Sequence, residues 1–155
     1  HMADTVIALG PGFSAGKDAH FVIETQRGHH LGRVITEGSA APDTGVPGII
    51  AGFGKERVIH APTEGILRHY SQIGDLVRKG QIIASIGQTP VTATLDGVLR
   101  GLLREGYLVP KGFKIADIDP RENEQKNCYT ISDKARCIAG GVLLGILMRN
   151  KGSWI

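Results

Sequence analysis

Aromatic side chains, cysteines, charge of one sign and long apolar runs are all scarce in this chain of 155 residues. Aromatic residues make up 5% of the sequence, and 18 basic against 15 acidic residues leave a net charge of only +3. Because phosphate backbones are bound by clustered Lys and Arg, these interspersed charges argue against nucleic acid as a partner. The longest strongly apolar run, residues 137–148, is shorter than the roughly 20 residues that cross a bilayer, so we expect no membrane association.

The two cysteines, Cys128 and Cys137, lack the paired spacing of a disulfide framework or a structural zinc site. Free thiols are typical of a reducing cytosol, and no signal peptide is visible, so we expect a cytoplasmic protein. Cys137 is expected in the core. Cys128 precedes a predicted helix, whose N-terminus favours a reactive thiolate, and it is the weak catalytic candidate; an incidental cysteine is the alternative.

Glycine is abundant, with 22 residues, and many of them recur in an internal repeat. Residues 64–86, the first copy, align without a gap on residues 96–118, the second copy, with 11 of 23 positions identical. The matched glycines allow the positive φ angles of tight turns. Neither copy has enough apolar surface to fold alone, so we expect two interlocked hairpin units related by a pseudo-twofold axis.

Short motifs in and just before the first copy are similar to those of a known family of domains. They are Ala61-Pro62-Thr63-Glu64-Gly65, Gly74-Asp75, Val77 and Lys79-Gly80-Gln81. Over residues 58–118 the pattern resembles biotinyl and lipoyl carrier domains, which implies a barrel-sandwich hybrid fold. Carriers present a modified lysine on the hairpin between the two halves. Here residues 87–90 are Gly-Gln-Thr-Pro, and no lysine occurs between Lys79 and Lys111. We therefore expect neither covalent lipoate nor covalent biotin.

The flanks of this core differ from it in composition. Residues 6–9 predict a buried strand and residues 31–36 a second one, within a loop-rich α/β segment. The sequence thus predicts a mainly β protein with a C-terminal α-helix, in three parts. These are a glycine-rich segment 1–57 that packs with the helix, a barrel-sandwich hybrid-like domain 58–121, and a loop with the helix in 122–155.

The C-terminal helix is predicted to begin after Ser132, which can cap it, with Asp133 in its first turn. Apolar residues then recur at helical spacing. Gly140, Gly141 and Gly145 would weaken an isolated helix, so we expect close packing on another backbone, either in this chain or in a second subunit of a homo-oligomer.

A glycine-rich loop and a polar segment are the candidate ligand-binding residues. After the first strand, residues 10–17 form a loop whose backbone N–H groups could bind an anion, although it lacks a complete P-loop motif. The polar segment could form an anion pocket, because Arg pairs with carboxylate and phosphate in bidentate fashion. A wide turn and a solvated loop are the alternatives. The candidate residues are Gly12, Lys17, Arg27, His29, His30 and Arg33.

Metal ligands have only weak candidates. His20 and Glu24 are four residues apart and would share one face if the segment were helical. Asp117 and Asp119 are two apart and would face the same side of a strand, where they could hold a cation or act as acid and base. A structural ion pair of Asp119 with Arg121 is the preferred alternative.

Longer motifs in the flanks carry a more specific resemblance. They are LGPGFSAGKDAHFVIETQRGHHLGRVI at 9–35, DTGVPG at 43–48, GVLRGLLREG at 97–106, KIADIDPR at 114–121 and NCYTISDKAR at 127–136. Together they resemble the accessory proteins of the selenium-dependent molybdenum hydroxylase system. Members of that family are longer, so the resemblance also implies that this chain is part of a longer protein.

The resemblance implies a cytoplasmic accessory protein that supports the maturation of a molybdenum hydroxylase. Its partners would be the hydroxylase or other maturation proteins, and it would associate with selenium or the molybdenum cofactor. We expect a binding or scaffold module without a carrier lysine. The alternative is an enzyme that handles a selenium or sulfur donor, or an anionic ligand, at the Arg/His segment.

Overall fold

The computed structural model describes residues 3–150. Residues 1–2 of the predicted segment 1–57 and residues 151–155 of the predicted segment 122–155 lie outside the described residues. The prediction of a mainly β protein with a single C-terminal helix is confirmed for this described part. The chain divides into two compact units. Unit 1 comprises residues 3–45 and 131–150, and unit 2 comprises residues 46–130.

Unit 1 contains a small sheet of three strands, a two-stranded ribbon and the helix. Its strands are β1 (Ile7–Leu9), β2 (Ser14–Ala15), β3 (Phe21–Ile23), β4 (Val34–Ile35) and β5 (Gly38–Ser39), and its helix is α1 (Asp133–Arg149). The sheet order is β1-β3-β4, with β1 and β3 parallel and β3 and β4 antiparallel. β1 is only half-buried, whereas the sequence predicts a buried strand, because it lies at the edge of this sheet.

Helix α1 packs on the sheet of unit 1 through glycines rather than through large apolar side chains. Ser132 caps it as predicted, accepting the N–H of Ala135 at 3.2 Å. A Cβ at Gly141 would collide with the carbonyl oxygen of Gly32, and one at Gly145 would lie 3.1 Å from Ile7. The predicted close packing therefore occurs within the chain at Gly141 and Gly145, whereas Gly140 has open space around it. Cys137 is exposed on α1, so its predicted place in the core is wrong.

Unit 2 consists of two four-stranded sheets. Its strands are β6 (Val58–His60), β7 (Gly65–His69), β8 (Leu76–Val77), β9 (Ile82–Ile86), β10 (Thr89–Thr92), β11 (Gly97–Leu102), β12 (Leu108–Val109) and β13 (Lys114–Asp119). The sheet orders are β10-β9-β7-β12 and β6-β13-β11-β8. β12 of the second copy therefore pairs with β7 of the first, while β8 of the first pairs with β11 of the second. Buried aliphatic side chains, including Leu67, Ile83, Leu99, Ile115 and Ile118, fill the core.

Two 3₁₀ helices complete unit 2. Lys55–Arg57 precedes β6, and Glu122–Tyr129 follows β13 and packs against β11. Within residues 3–150, no helix has the length and apolar character needed to span a membrane.

Candidate functional site

The tip between β9 and β10, where a carrier domain presents its lysine, is a two-residue turn. Ile86 pairs with Thr89, so only Gly87 and Gln88 lie between the strands. Gly87 has a φ of +58°, which glycine adopts without strain, and a glycine at the first of two turn residues is typical of a type II′ hairpin. The tip is therefore short and closed, and its one functional side chain is the amide of Gln88.

The two candidate loops of unit 1 leave the same edge of its sheet. Because β1 and β3 are parallel, their carboxyl ends coincide, and that edge is where open α/β sheets bind ligands. The N–H of Gly10 donates to the carbonyl of Ile23 at 2.9 Å, and a Cβ at Gly10 would lie 2.6 Å from Thr25 Oγ1. The glycine-rich loop thus starts directly beside the polar segment.

The glycine-rich loop uses several of its backbone N–H groups within itself. The Ser14 N–H donates to Asp18 Oδ2 at 2.8 Å, and the N–H groups of Lys17 and Asp18 donate to the Ser14 carbonyl at 3.2 and 2.9 Å. Gly16 N–H donates to the Ala19 carbonyl at 2.9 Å. Such a self-closed turn leaves fewer donors for an anion than a phosphate-binding loop offers. Of the predicted anion-binding residues in this loop, Gly12 and the side chain of Lys17 are exposed and take no part in these bonds.

Glu24 is a buried carboxylate that organises the start of the polar segment. Its Oε1 accepts the N–H of Gln26 and its Oε2 accepts the N–H of Ala41, both at 2.8 Å. Burial acts to raise the pKa of Glu24, but these backbone donors, together with the charge of His30, hold the pKa below its ordinary value. Glu24 is therefore ionised and fully engaged with backbone, which is a structural role.

The cationic candidates of the polar segment lie on its exposed surface. Arg27 forms a bidentate pair with Asp133 at the start of α1, with contacts of 2.8 and 3.1 Å. Arg33 lies 3.3 Å from Nδ1 of His30, and the rings of His29 and His30 meet edge to face with centroids 5.0 Å apart. Bidentate pairing with Arg27 places Asp133 where the carboxylate of a ligand would bind. It also lowers the pKa of Asp133 far below its ordinary value.

The weak metal candidates are held by other partners. His20 accepts the N–H of Val6 on Nδ1 at 2.9 Å, and it lies at one end of β3 while Glu24 lies at the other. Among residues 3–150, no group of three or more His, Cys, Asp or Glu side chains converges in a way that could hold a metal ion.

The two aspartates of β13 belong to ion pairs. Asp119 is buried and accepts Arg121 Nε at 3.0 Å and a terminal nitrogen at 2.8 Å, the pair preferred from the sequence. Burial opposes ionisation of Asp119, but Arg121 holds its pKa below the ordinary value. Asp117 lies 3.4 Å from a guanidinium nitrogen of Arg57.

Arg57 is a buried structural residue that the sequence did not indicate. Its side chain is buried, and it donates to the carbonyls of Ile118 and Gly48, both at 3.1 Å, as well as facing Asp117. It therefore ties the loop before β6 to the end of β13. An arginine directly before an apolar strand was the only signal in the sequence, and that signal is weak.

Cys128, the weak catalytic candidate, lies in the 3₁₀ helix Glu122–Tyr129 and is half-buried. Neighbours of Cys128 on this helix contact the turn after β7. Gln125 Nε2 donates to the Gly74 carbonyl at 2.7 Å, and Tyr129 Oη donates to the Ile73 carbonyl at 3.2 Å.

No family model matches the chain. It is 55% identical over 147 residues to the uncharacterized protein YqeB of Escherichia coli (strain K12), an alignment that covers 95% of this chain. The chain spans only 27% of the length of that curated relative.

Two solved structures show partial likeness. The product-bound ectoine utilization protein EutE (DoeB) from Ruegeria pomeroyi matches 51% of this chain and 23% of its own, with a TM-score of 0.37 and 20% identity. The succinylglutamatedesuccinylase/aspartoacylase from Rhodobacter sphaeroides matches 55% and 30%, with a TM-score of 0.34 and 18% identity.

Proposed function

We propose that the chain is a binding or scaffold module in the maturation of a selenium-dependent molybdenum hydroxylase, built on a barrel-sandwich hybrid core without carrier chemistry. The observation that supports it most directly is the tip between β9 and β10. A swinging arm needs an amine to acylate, and the Gly87-Gln88 turn has none. The pathway assignment is supported by the long motifs of the flanks.

Reciprocal hydrogen bonds between the two copies support the pseudo-twofold core. Gly74 donates to the Leu99 carbonyl at 2.9 Å, and the equivalent positions of the two copies repeat the contact, with Gly106 donating to Leu67 at 2.9 Å. The same exchange relates Gly80 to Ala93 and Gly112 to Ala61, both at 2.8 Å. Each copy therefore supplies backbone acceptors to the other, as expected of interlocked hairpin units.

Two measurements test this proposal. Intact-mass analysis after co-expression with lipoyl and biotin ligases should give the unmodified mass, with a genuine carrier domain as the positive control; an increase mapping to residues 86–92 would contradict the absence of carrier chemistry. Surface-immobilised chain should bind a purified molybdenum hydroxylase saturably, either in its selenium-loaded form or after cyanide treatment. Absence of binding to both forms would remove the pathway assignment.

The alternative is an enzyme or binding site for an anion or a selenium or sulfur donor, and the shared loop edge of unit 1 favours it. Gly12 follows β1, and Arg27, His29 and Arg33 follow β3, at the carboxyl ends of two parallel strands, while Lys17 lies beyond β2 in the connection to β3. A thermal shift with phosphate, molybdate or selenite, lost in Lys17→Ala, would support this alternative. For Cys128, iodoacetamide alkylation across pH in a Cys137→Ser background would show whether a thiolate is available near neutrality.

Homo-oligomerisation through α1 is the remaining part of the proposal. The outer face of the helix is apolar, with Leu143, Leu144, Ile146 and Leu147 all exposed. Because a helix that is apolar on every side is normally buried, a second copy of α1 is a suitable cover. Sedimentation equilibrium should show a dimer that Leu143→Glu converts to a monomer; a monomer in both would contradict this.

A further inference from the structure

The outer faces of the two sheets of unit 2 are covered differently. On one sheet, the 3₁₀ helix Glu122–Tyr129 packs against β11, and Val98 of that strand is 0% exposed. Glu122 also forms an ion pair of 2.7 Å with Arg78. Gly74 lies so close to the Tyr129 ring that a Cβ there would collide with the hydroxyl. A segment with two glutamates, an amide and a tyrosine therefore covers Val98 and Gly74 on this face, while Leu76 beside Val98 stays 47% exposed.

The corresponding face of the other sheet, formed by β7 and β12, is bare. Ile66 is the counterpart of Val98 in the first copy and is 41% exposed. Leu108, its direct partner across the strands, is 67% exposed. Gly106, the counterpart of Gly74, has open space on the side where Gly74 meets a tyrosine. We call Ile66, Leu108 and Gly106, with Arg68, the bare face.

The charged side chains at the bare face indicate which kind of partner would bind there. Arg68 follows Ile66 by two residues and so lies on the same side of β7, exposed. Arg104 is exposed and begins the turn into β12, where the N–H of Tyr107 donates to its carbonyl. Neither arginine forms a salt bridge within residues 3–150. Glu105, the acidic neighbour, accepts the His69 N–H at 3.3 Å. The two arginines outnumber Glu105, so these three groups carry a net charge of +1.

We propose that the bare face docks an acidic peptide segment of a partner protein, one that carries amide and aromatic side chains like those of residues 122–129. The occupant of the equivalent face supplies part of the template: the Gln125 amide donates to the Gly74 carbonyl and Tyr129 lies over Gly74, whose counterpart on the bare face is Gly106. The arginine that Glu122 meets, Arg78, corresponds to Pro110, so the acidic groups of the partner would be received by Arg68 and Arg104 instead. This inference deepens the proposed role as a binding module and rests on it.

The test uses the whole chain and a fluorescein-labelled peptide of residues 122–130 with Cys128→Ser, in which two glutamates and one lysine leave a side-chain charge of −1. Fluorescence anisotropy should show saturable binding with a dissociation constant below about 1 mM. Leu108→Asp should weaken it at least about tenfold, because an apolar contact at the centre of an interface is lost. Arg68→Glu, a surface change that spares the fold, should weaken it at least about threefold. Ile49→Asp, at a highly exposed site elsewhere in unit 2, is the matched control and should leave binding unchanged.

Three outcomes overturn the docking proposal. One is no saturable binding. A second is binding that survives both Leu108→Asp and Arg68→Glu, which would mean that the peptide displaces the native 3₁₀ helix from the covered face. A third is a dimer of the chain that Leu108→Asp dissociates while the peptide fails to bind, which would make a second copy the occupant.

The peptide-binding experiment and the hydroxylase-binding experiment can fail independently of each other. Peptide binding with no hydroxylase binding keeps the docking surface and removes the pathway. Hydroxylase binding that Leu108→Asp leaves intact, with no peptide binding, keeps the pathway and removes the docking surface.

Discussion

The two units of this chain differ in the size of the side chains that fill their interiors. Unit 2 fills its interior with large aliphatic side chains, among them Leu67 and Leu99 at the same position of the two copies. The core cluster of unit 1 has only Ala15, Ala40 and Val22, and Ile23 is fully buried beside α1. Its helix approaches the sheet through Gly141 and leaves its leucines outside. A duplicated strand unit can bury its own apolar surface, whereas the helical unit depends on backbone proximity.

The largest expected effect tests the claim that unit 2 is stabilised by its filled core. Leu99→Ala should lower the free energy of unfolding by about 2–5 kcal/mol, since it removes a fully buried side chain and leaves a cavity. Urea denaturation measures the loss, and hydrogen exchange of the β11 amides shows that it falls on unit 2. Ile49→Ala, at an exposed site, should change stability by less than about 0.5 kcal/mol. Equal losses of stability from the two substitutions would contradict the claim that the buried core stabilises unit 2.

Acidification should affect both units through one buried carboxylate in each. The pKa values of Glu24 in unit 1 and Asp119 in unit 2 are depressed, so their contributions are complete above the ordinary carboxyl pKa values of about 4 and are lost as pH falls through the folded values. We expect a loss of about 1–3 kcal/mol for each as its charged hydrogen bonds weaken. Urea titrations between pH 7 and 2.5 measure it. Glu24→Gln and Asp119→Asn should flatten the curve, and an unchanged slope would count against these assignments.

Gly140 and Gly141 are adjacent on α1 and together test whether unit 1 depends on close backbone packing. A Cβ at Gly141 would collide with the Gly32 carbonyl, so Gly141→Ala should cost about 1–2 kcal/mol even after the gain in helix propensity. Gly140 has open space around it, so Gly140→Ala should stabilise the protein by up to about 1 kcal/mol. Thermal unfolding of the two variants should therefore shift in opposite directions. A shift in the same direction would mean that α1 does not depend on this contact.

Capping of α1 gives the smallest effect. Ser132→Ala should cost about 1 kcal/mol, because the Ala135 N–H loses its acceptor, while Ser132→Asp retains a cap. Hydrogen exchange should report the loss in α1 and leave β11 unchanged. Equal exchange in the alanine and aspartate variants would show that the cap is dispensable.

Local patterns predicted much of the secondary structure. α1 begins after Ser132, as its predicted cap required. Turn glycines and capping residues act over a few residues, so the sequence reports them directly. The orientation of α1 was not predictable in this way. Cys137 was expected in the core because a free cysteine is usually buried, but the packed stripe follows Gly141 and Gly145, since only glycine admits the neighbouring backbone.

Partners that are distant in sequence were beyond prediction. The parallel pairing of β1 with β3, which brings the two candidate loops to one edge, depends on the pairing of two three-residue strands. The pairing of Arg27 with Asp133 joins residues 106 positions apart. Hydrophobic periodicity identifies helices, strands and polar segments. It does not identify the contacts that give Arg57 its structural role, because these form only when β13 is in place in the sheet.

The exchange of short strands between the copies has an evolutionary consequence. Deleting either copy would strip a closing strand from the sheet of the survivor, so the duplication cannot revert to a single functional ancestor by simple loss. The spacing between the copies is therefore constrained by both strand pairings, while an outward position such as Tyr107, which is 49% exposed, can change without breaking either of them.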